Sequence, residues 1–208
     1  MEKRPPENES NGYARTMTLR NVIFLDRDGV INRDSPDYIK SWEAFEFIPG
    51  SLEALAALTG AGYHLMVITN QSIIGRGMVS QVVLEEIFRR MRRAVESAGG
   101  KIHDIFFCPH HPDDHCDCRK PQPGMIFQAK AKHGIDLPAT VMIGDNIKDV
   151  VCGQNAGCGA TILVRTGSGR KAEKELTSRQ VSPTMVVDDL AAAAGLIVSG
   201  RVLASAPS

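Results

Sequence analysis

Apolar positions along the chain fall into short, β-branched runs, with stretches of helical spacing between them. Residues 21–25 (NVIFL), 63–69 (YHLMVIT), 102–107 (IHDIFF), 140–143 (TVMI) and 160–164 (ATILV) are predicted strands, with 185–187 as a sixth. Near-continuous apolar runs of this length suit strands covered on both faces. Residues 51–58, 82–97, 124–133 and 147–156 are predicted helices, and a further helix runs through 197. In 82–97, Leu84, Ile87, Phe88, Met91 and Val95 share one face and arginines hold the other. Gly134 closes the helix at 124–133. This alternation predicts an α/β fold, a Rossmann-like three-layer sandwich with a mostly parallel sheet. Ligands of such sheets bind beyond the carboxyl ends of the strands. The residues that follow each strand are therefore where chemistry is expected.

After the first strand comes Asp26-Arg27-Asp28-Gly29. An extended segment points the side chains of Asp26 and Asp28 to one side, and a cation between them relieves their repulsion. Mg²⁺ fits, because it takes carboxylate oxygens and bridges to substrate phosphate. One aspartate can then attack phosphorus while the other protonates the leaving oxygen and later activates water. Alone, this string is a common turn, since Asp-Gly is a frequent turn pair. Thr69 and Asn70 end the second strand and offer a hydroxyl and a backbone N–H to phosphate oxygens. Arg119 and Lys120 precede Pro121; the lysine is a compact phosphate-binding charge, and the arginine a planar fork for a second anion. Gly144-Asp145 follows the fourth strand, where Asp145 can complete the Mg²⁺ site and Asp149 can orient a neighbour or Lys120. Each string alone reads equally well as a turn, a solvated charge pair or an acidic helix start. Together they supply a nucleophile, an acid/base, a metal and cations for the equatorial oxygens, as phosphoryl transfer to aspartate requires.

Cys108, His110, Cys116 and Cys118 form a second cluster, with His111 and His115 as rival ligands. Three sulfurs and one imidazole are a tetrahedral Zn²⁺ set, and a closed site of this kind is structural. It would pin the loop that carries Arg119 and Lys120. No H-E-x-x-H string accompanies it.

With 208 residues and 43% hydrophobic content, one core without disulfides is expected, and five cysteines argue against a disulfide framework. Lys+Arg and Asp+Glu are equal at 24 each, which gives no bulk electrostatic case for nucleic acid or an anionic membrane. No apolar run is long enough to span a bilayer, and residues 1–18 lack the apolar segment of a secretory signal. The expectation is a cytoplasmic monomer with polar tails at 1–18 and 200–208 and a single domain over 19–199.

The strings FLDRDGVINRD, ITNQS, CPHHPDDHCDCRKPQPGM, MIGDNIKD and LVRTG together resemble the histidinol-phosphate and heptose-bisphosphate phosphatases of the haloacid dehalogenase-like superfamily, over about residues 21–169. CPHHP, CDCRKPxPGM and EFIPG favour the heptose branch. The resemblance implies a sheet without a large cap domain, a zinc-stapled loop, and hydrolysis of the 7-phosphate of a heptose 1,7-bisphosphate. It implies Asp26 as nucleophile, Asp28 as proton donor, Mg²⁺ on Asp26, Asp28 and Asp145, and Zn²⁺ on Cys108, His110, Cys116 and Cys118. Asp34, Tyr38, Asn70, Gln71, Ser72 and Arg119 carry over as substrate-binding residues, and Thr69 and Lys120 as catalytic ones. Two departures bear on the substrate. Ile73 stands where the family has glycine after NQS, which predicts a different loop up to Gly77. Asn146 stands where heptose members often have lysine after Gly-Asp.

Histidinol phosphate is the alternative substrate. A DNA 3′-phosphatase shares the core logic but lacks support from a basic stripe. A receiver-type signalling domain would place its acceptor aspartate at the end of the third strand, where this chain has Cys108-Pro109. A zinc-stapled binding module with a dead site would tolerate loss of Asp28 or Lys120, and both are present.

Overall fold

The computed structural model describes residues 18–202; most of the two expected tails, residues 1–17 and 203–208, lies outside them. Six parallel strands form one sheet: β1 (Val22–Leu25), β2 (His64–Asn70), β3 (Ile102–Cys108), β4 (Thr140–Gly144), β5 (Ala160–Val164) and β6 (Met185–Val187). The spatial order is β3-β2-β1-β4-β5-β6. The order reverses between β1 and β4, and that reversal opens a crevice at their carboxyl ends. Asp26 follows β1 and Asp145 follows β4, so both stand at its mouth.

Alternation along the strands divides the core into two layers. Ile23, Leu25, Leu65, Val67, Val141 and Ile143 face one side of the sheet. They pack against α1 (Ser51–Gly60), α2 (Gln81–Ser97) and α6 (Leu190–Val198). Phe24, Met66, Ile68 and Met142 face the other side, against α3 (Gly124–His133) and α4 (Ile147–Ala156). In α2 the five residues expected on the apolar face are the five that are buried, and the Ser80 hydroxyl accepts from the Val83 N–H to cap the helix. The three-layer α/β expectation holds.

Two features depart from expectation. A seven-residue helix, α5 (Gly169–Glu175), follows β5, where the sequence is too polar to show a helical stripe; only Gly169 and Ala172 are buried in it. Ile73 causes no backbone conflict. It is absent from the positive-φ residues and is 1% exposed, so the position needs no glycine and its side chain joins the core. Among the described residues no cap domain interrupts the sheet; the long β1–α1 connection carries only isolated bridges and a cluster of Trp42, Phe45 and Phe47.

Candidate active site

The crevice is lined by Asp26, Asp28, Asp34, Tyr38, Thr69, Asn70, Lys120, Asp145, Asn146, Lys148, Asp149 and Ser168, around a volume of about 190 Å³. Strand ends deliver most of the chemistry. Asp26 continues β1, its N–H donating to the Ile143 carbonyl of β4 at 2.9 Å. Gly29 and Gly167, both at positive φ, let two backbone segments close on Asp145; a Cβ on either would collide with the Asp145 carboxylate. The Ser168 N–H donates to Asp145 Oδ2 at 2.7 Å and fixes that side chain.

Lys120 is buried, and its ammonium is fully engaged. Nζ donates to Asp26 Oδ1 (2.8 Å), Asp149 Oδ1 (2.7 Å) and the Ile68 carbonyl (2.8 Å). Three acceptors match its three protons. The sequence reading gave this lysine to phosphate. The structure places it on Asp26, held there by Asp149. Burial works to lower its pKa, yet the Asp149 and Asp26 carboxylates outweigh that and hold it above the ordinary lysine range.

Burial pushes Asp26 up to about 7, against the attraction of Lys120 and with the Asp149 charge adding to it. Burial likewise pushes Asp145 up to about 8, with Asp149 and Asp26 adding. Oxygens of Asp26, Asp145 and Asp149 lie within 4.8 Å of one another. Asp28 was expected in this group, but its carboxylate is held elsewhere. Arg27 Nη2 donates to both of its oxygens (2.7 and 2.8 Å), Arg27 Nε adds a bond to Oδ1 (3.1 Å), Asn32 donates to Oδ1 and Gln71 to Oδ2, each at 2.9 Å. The Arg27 side chain is 1% exposed, with its guanidinium 5.8 Å from the Phe88 ring. Arg27 and Asn32 escaped the sequence reading because a charge inside a turn string gives no sign that it is buried.

The other expected contacts divide. Asp34, Tyr38, Thr69 and Asn70 reach the crevice; Gln71, Ser72 and Arg119 are not in its lining. Gln71 is buried and bridges Asp28 to the Thr69 hydroxyl at 2.9 Å. The Asn70 side chain clamps the Lys120 backbone, donating to its carbonyl (3.2 Å) and accepting from its N–H (3.0 Å). Asn146, in place of lysine, caps α4: its side chain accepts from the Lys148 N–H, and its own N–H donates to Asp149. Lys148, two residues on, reaches the crevice instead. Ser168 and Lys148 were missed; the only signals were the segment after LVRTG and a lysine inside MIGDNIKD.

At the end of β3 the four expected zinc ligands converge. Cys108 Sγ lies 3.5 Å from Cys116 Sγ and 3.6 Å from His110 Nδ1; Cys118 Sγ lies 3.2 Å from that nitrogen and 3.5 Å from Cys116 Sγ. Tetrahedral ligands at metal–sulfur distances near 2.3 Å stand about 3.8 Å apart, so the cage needs only slight expansion. Burial works to raise the Cys116 thiol, but sulfur hydrogen bonds with Cys118 and Cys108 outweigh it and bring it down to about 7. The rivals point elsewhere: His111 pairs with Asp113 at 3.2 Å, and His115 is exposed at a left-handed turn.

The chain is 44% identical over 180 residues to the D-glycero-beta-D-manno-heptose-1,7-bisphosphate 7-phosphatase of Pseudomonas aeruginosa, a match covering 86% of this chain and 98% of that one. It belongs to the haloacid dehalogenase-like phosphatases. The family model described as "HAD-hyrolase-like" matches residues 117–193. The enzyme of the same name from Bordetella bronchiseptica is 42% identical over 173 residues, covering 83% of this chain and 95% of that one. The crystal structure of D,D-heptose 1,7-bisphosphate phosphatase from B. bronchiseptica, complexed with magnesium and phosphate, superposes with a TM-score of 0.81 at 41% identity, over 86% of this chain and 99% of that one.

Proposed function

We propose that this protein hydrolyses the 7-phosphate of D-glycero-β-D-manno-heptose 1,7-bisphosphate through an aspartyl-phosphate on Asp26. The observation that carries the reading is the pairing of two differently held carboxylates in one crevice: Asp26 on Lys120, and Asp28 on Arg27, Asn32 and Gln71. An Asp26 oxygen attacks phosphorus and the bond to the sugar oxygen breaks. Asp28 serves as the acid/base of this reading: it passes a proton to that leaving oxygen and takes one back from the water that cleaves the acyl phosphate. The products are the heptose 1-phosphate and inorganic phosphate, with Asp26 and Asp28 returned to their starting states. Thr69 faces the reacting phosphoryl group from the end of β2, and Asp34 and Tyr38 meet the sugar.

The residues suit a divalent cation. Five carboxylates, those of Asp26, Asp28, Asp34, Asp145 and Asp149, line the crevice with Lys120 and Lys148, Arg27 pairs with Asp28, and burial disfavours the charged forms of Asp26 and Asp145. Mg²⁺ would be held by oxygens of Asp26, Asp145 and Asp149, which lie within 4.8 Å of one another, rather than by the expected set with Asp28, and would offset phosphate charge there. Zn²⁺ on Cys108, His110, Cys116 and Cys118 is structural in this reading, since all four positions of a tetrahedron come from protein. In this reading residues 19–199 are the phosphatase unit, acting as a monomer in the cytoplasm. Histidinol phosphate is the less favoured substrate, because the relatives compared above carry the heptose name.

The test is phosphate release from a panel containing the heptose bisphosphate and histidinol phosphate. Wild type is expected to prefer the heptose bisphosphate, and Asp26→Asn to lose activity by far more than the tenfold that about 1.4 kcal/mol of barrier represents. A preference for histidinol phosphate, or an active Asp26→Asn, overturns the reading.

A further inference from the structure

Gln71 follows β2 directly, is 3% exposed and stands outside the crevice lining. The sequence resemblance implied a substrate contact for it, yet its side chain reaches two groups of the reaction instead. Nε2 donates to Asp28 Oδ2 and to Thr69 Oγ1, each at 2.9 Å. An amide nitrogen carries two protons, and these two acceptors take both. An ionised carboxylate only accepts, so the nitrogen of the amide, not its oxygen, must face Asp28. Thr69 Oγ1 therefore accepts from Gln71, which leaves its own proton to point into the crevice that Thr69 lines. The two oxygens of Asp28 also differ. Oδ1 accepts from Arg27 Nε, Arg27 Nη2 and Asn32, whereas Oδ2 accepts from Arg27 Nη2 and Gln71 alone. Oδ2 is thus the freer oxygen to trade a proton, and Gln71 sets the direction it faces. The Gln71 backbone is tied down as well, its N–H donating to the Cys108 carbonyl at the end of β3 at 2.7 Å.

We propose that Gln71 is a positioning residue of the reaction: its amide aligns Asp28 and the Thr69 hydroxyl on one phosphoryl group without touching substrate. The inference rests on the aspartyl-phosphate reading above and deepens it. In that reading Asp28 meets the leaving oxygen, while Thr69 meets another oxygen on the same phosphorus. One buried amide between the two fixes their separation. A small displacement of a reacting group costs rate more than binding. A hydrocarbon side chain of the same length would fill the space but leave both oxygens free to turn.

The test uses the difference between leaving groups. A sugar oxygen needs a proton as it leaves phosphorus, whereas p-nitrophenolate departs without one. Steady-state kinetics of Gln71→Met, Gln71→Asn and Asp28→Asn are compared on the heptose bisphosphate and on p-nitrophenyl phosphate, with thermal melts alongside. Gln71→Met is expected to cut kcat/KM on the sugar ester about tenfold more than on the aryl ester, with KM little changed, as loss of one hydrogen bond to a charged group predicts. Asp28→Asn should show the same preference more strongly. Gln71→Asn keeps the amide on a shorter arm and should show it more weakly; it carries the test if the Met variant does not fold. Equal losses on both esters, or a loss confined to KM, overturn the proposal, because a merely structural glutamine lowers the melting temperature without sensing the leaving group. Histidinol phosphate, also an alkyl ester, takes the place of the heptose bisphosphate if wild type prefers it. If Asp28→Asn does not discriminate between the esters, the acid/base reading fails separately, and Gln71 is judged at Thr69. Weaker competitive inhibition by inorganic phosphate in Gln71→Met then upholds its alignment of that hydroxyl, and unchanged inhibition overturns it.

Discussion

At the scale of residues, the DxDG string holds two aspartates with different partners, and the arginine between them makes the difference. Asp26 accepts from Lys120, whereas Asp28 takes a two-pronged bond from a guanidinium that is 1% exposed. Arg27 holds Asp28 apart from the Asp26, Asp145 and Asp149 group. Arg27→Met is expected to lower kcat on the order of a hundredfold, because a misaligned catalytic group costs about that much. It should also destabilise the fold by about 3 kcal/mol, since it strips the buried partner from Asp28. Arg27→Lys keeps the charge but loses the fork, so it should recover stability more than kcat. Phosphate-release kinetics and thermal melts separate the two effects; a Lys variant with wild-type kcat would show that charge alone suffices.

Elements carry these residues in pairs of clamps. The segment from Cys108 to Lys120 is tied at one end by the Cys/His cage and at the other by the Asn70 side chain on the Lys120 backbone. Disturbing the cage should therefore be felt at Lys120 and hence at Asp26. Purified protein is expected to contain about one Zn per chain by elemental analysis. Cys116→Ser should lower the melting temperature and kcat together. A zinc-free protein with unchanged melting and full activity would sink the structural-zinc reading. At α4, Asn146 caps the helix and positions Asp149, the residue that holds Lys120 from behind. Asn146→Ala should cost about 1 kcal/mol of stability, readable in denaturant melts.

Across the whole molecule, gathering acids at one crevice ties stability to pH and to metal. The folded-state pKa values of Asp26 and Asp145, about 7 and about 8, lie above the unfolded value of 3.8. The folded, metal-free protein therefore binds more protons than the unfolded chain between those values. The resulting destabilisation is absent below the unfolded pKa and complete above the folded one, so this contribution to stability falls as pH rises. Lys120, held above its ordinary value, contributes stability that is fully present across this window. Mg²⁺ binding should release protons, and the melting-temperature gain from added Mg²⁺ should widen from about pH 5 to about pH 8. Melts of protein dialysed free of Mg²⁺, with and without added ion, check this; a gain that shrinks with pH would exclude these carboxylates as its ligands.

The sheet was legible in the chain because alternation and β-branched runs reflect burial directly, and Ile23 and Leu25 do face one layer while Phe24 faces the other. The position of Asp26, Thr69, Cys108 and Asp145 at strand ends followed from the same pattern, since all strands in a parallel sheet point one way. α5 was not legible, because a polar helix buried at only two positions leaves no periodic stripe. Partner choice was not legible either. Lys120 and Asp149 are 29 positions apart, Gln71 and Asp28 are 43 apart, and only the crossovers of the sheet bring them within hydrogen-bond reach. Sequence alone determined which chemical groups gather at the carboxyl edge. Tertiary structure decided which of them hold one another, because hydrogen bonds and ion pairs depend on distances of a few ångströms that strand order and loop packing set.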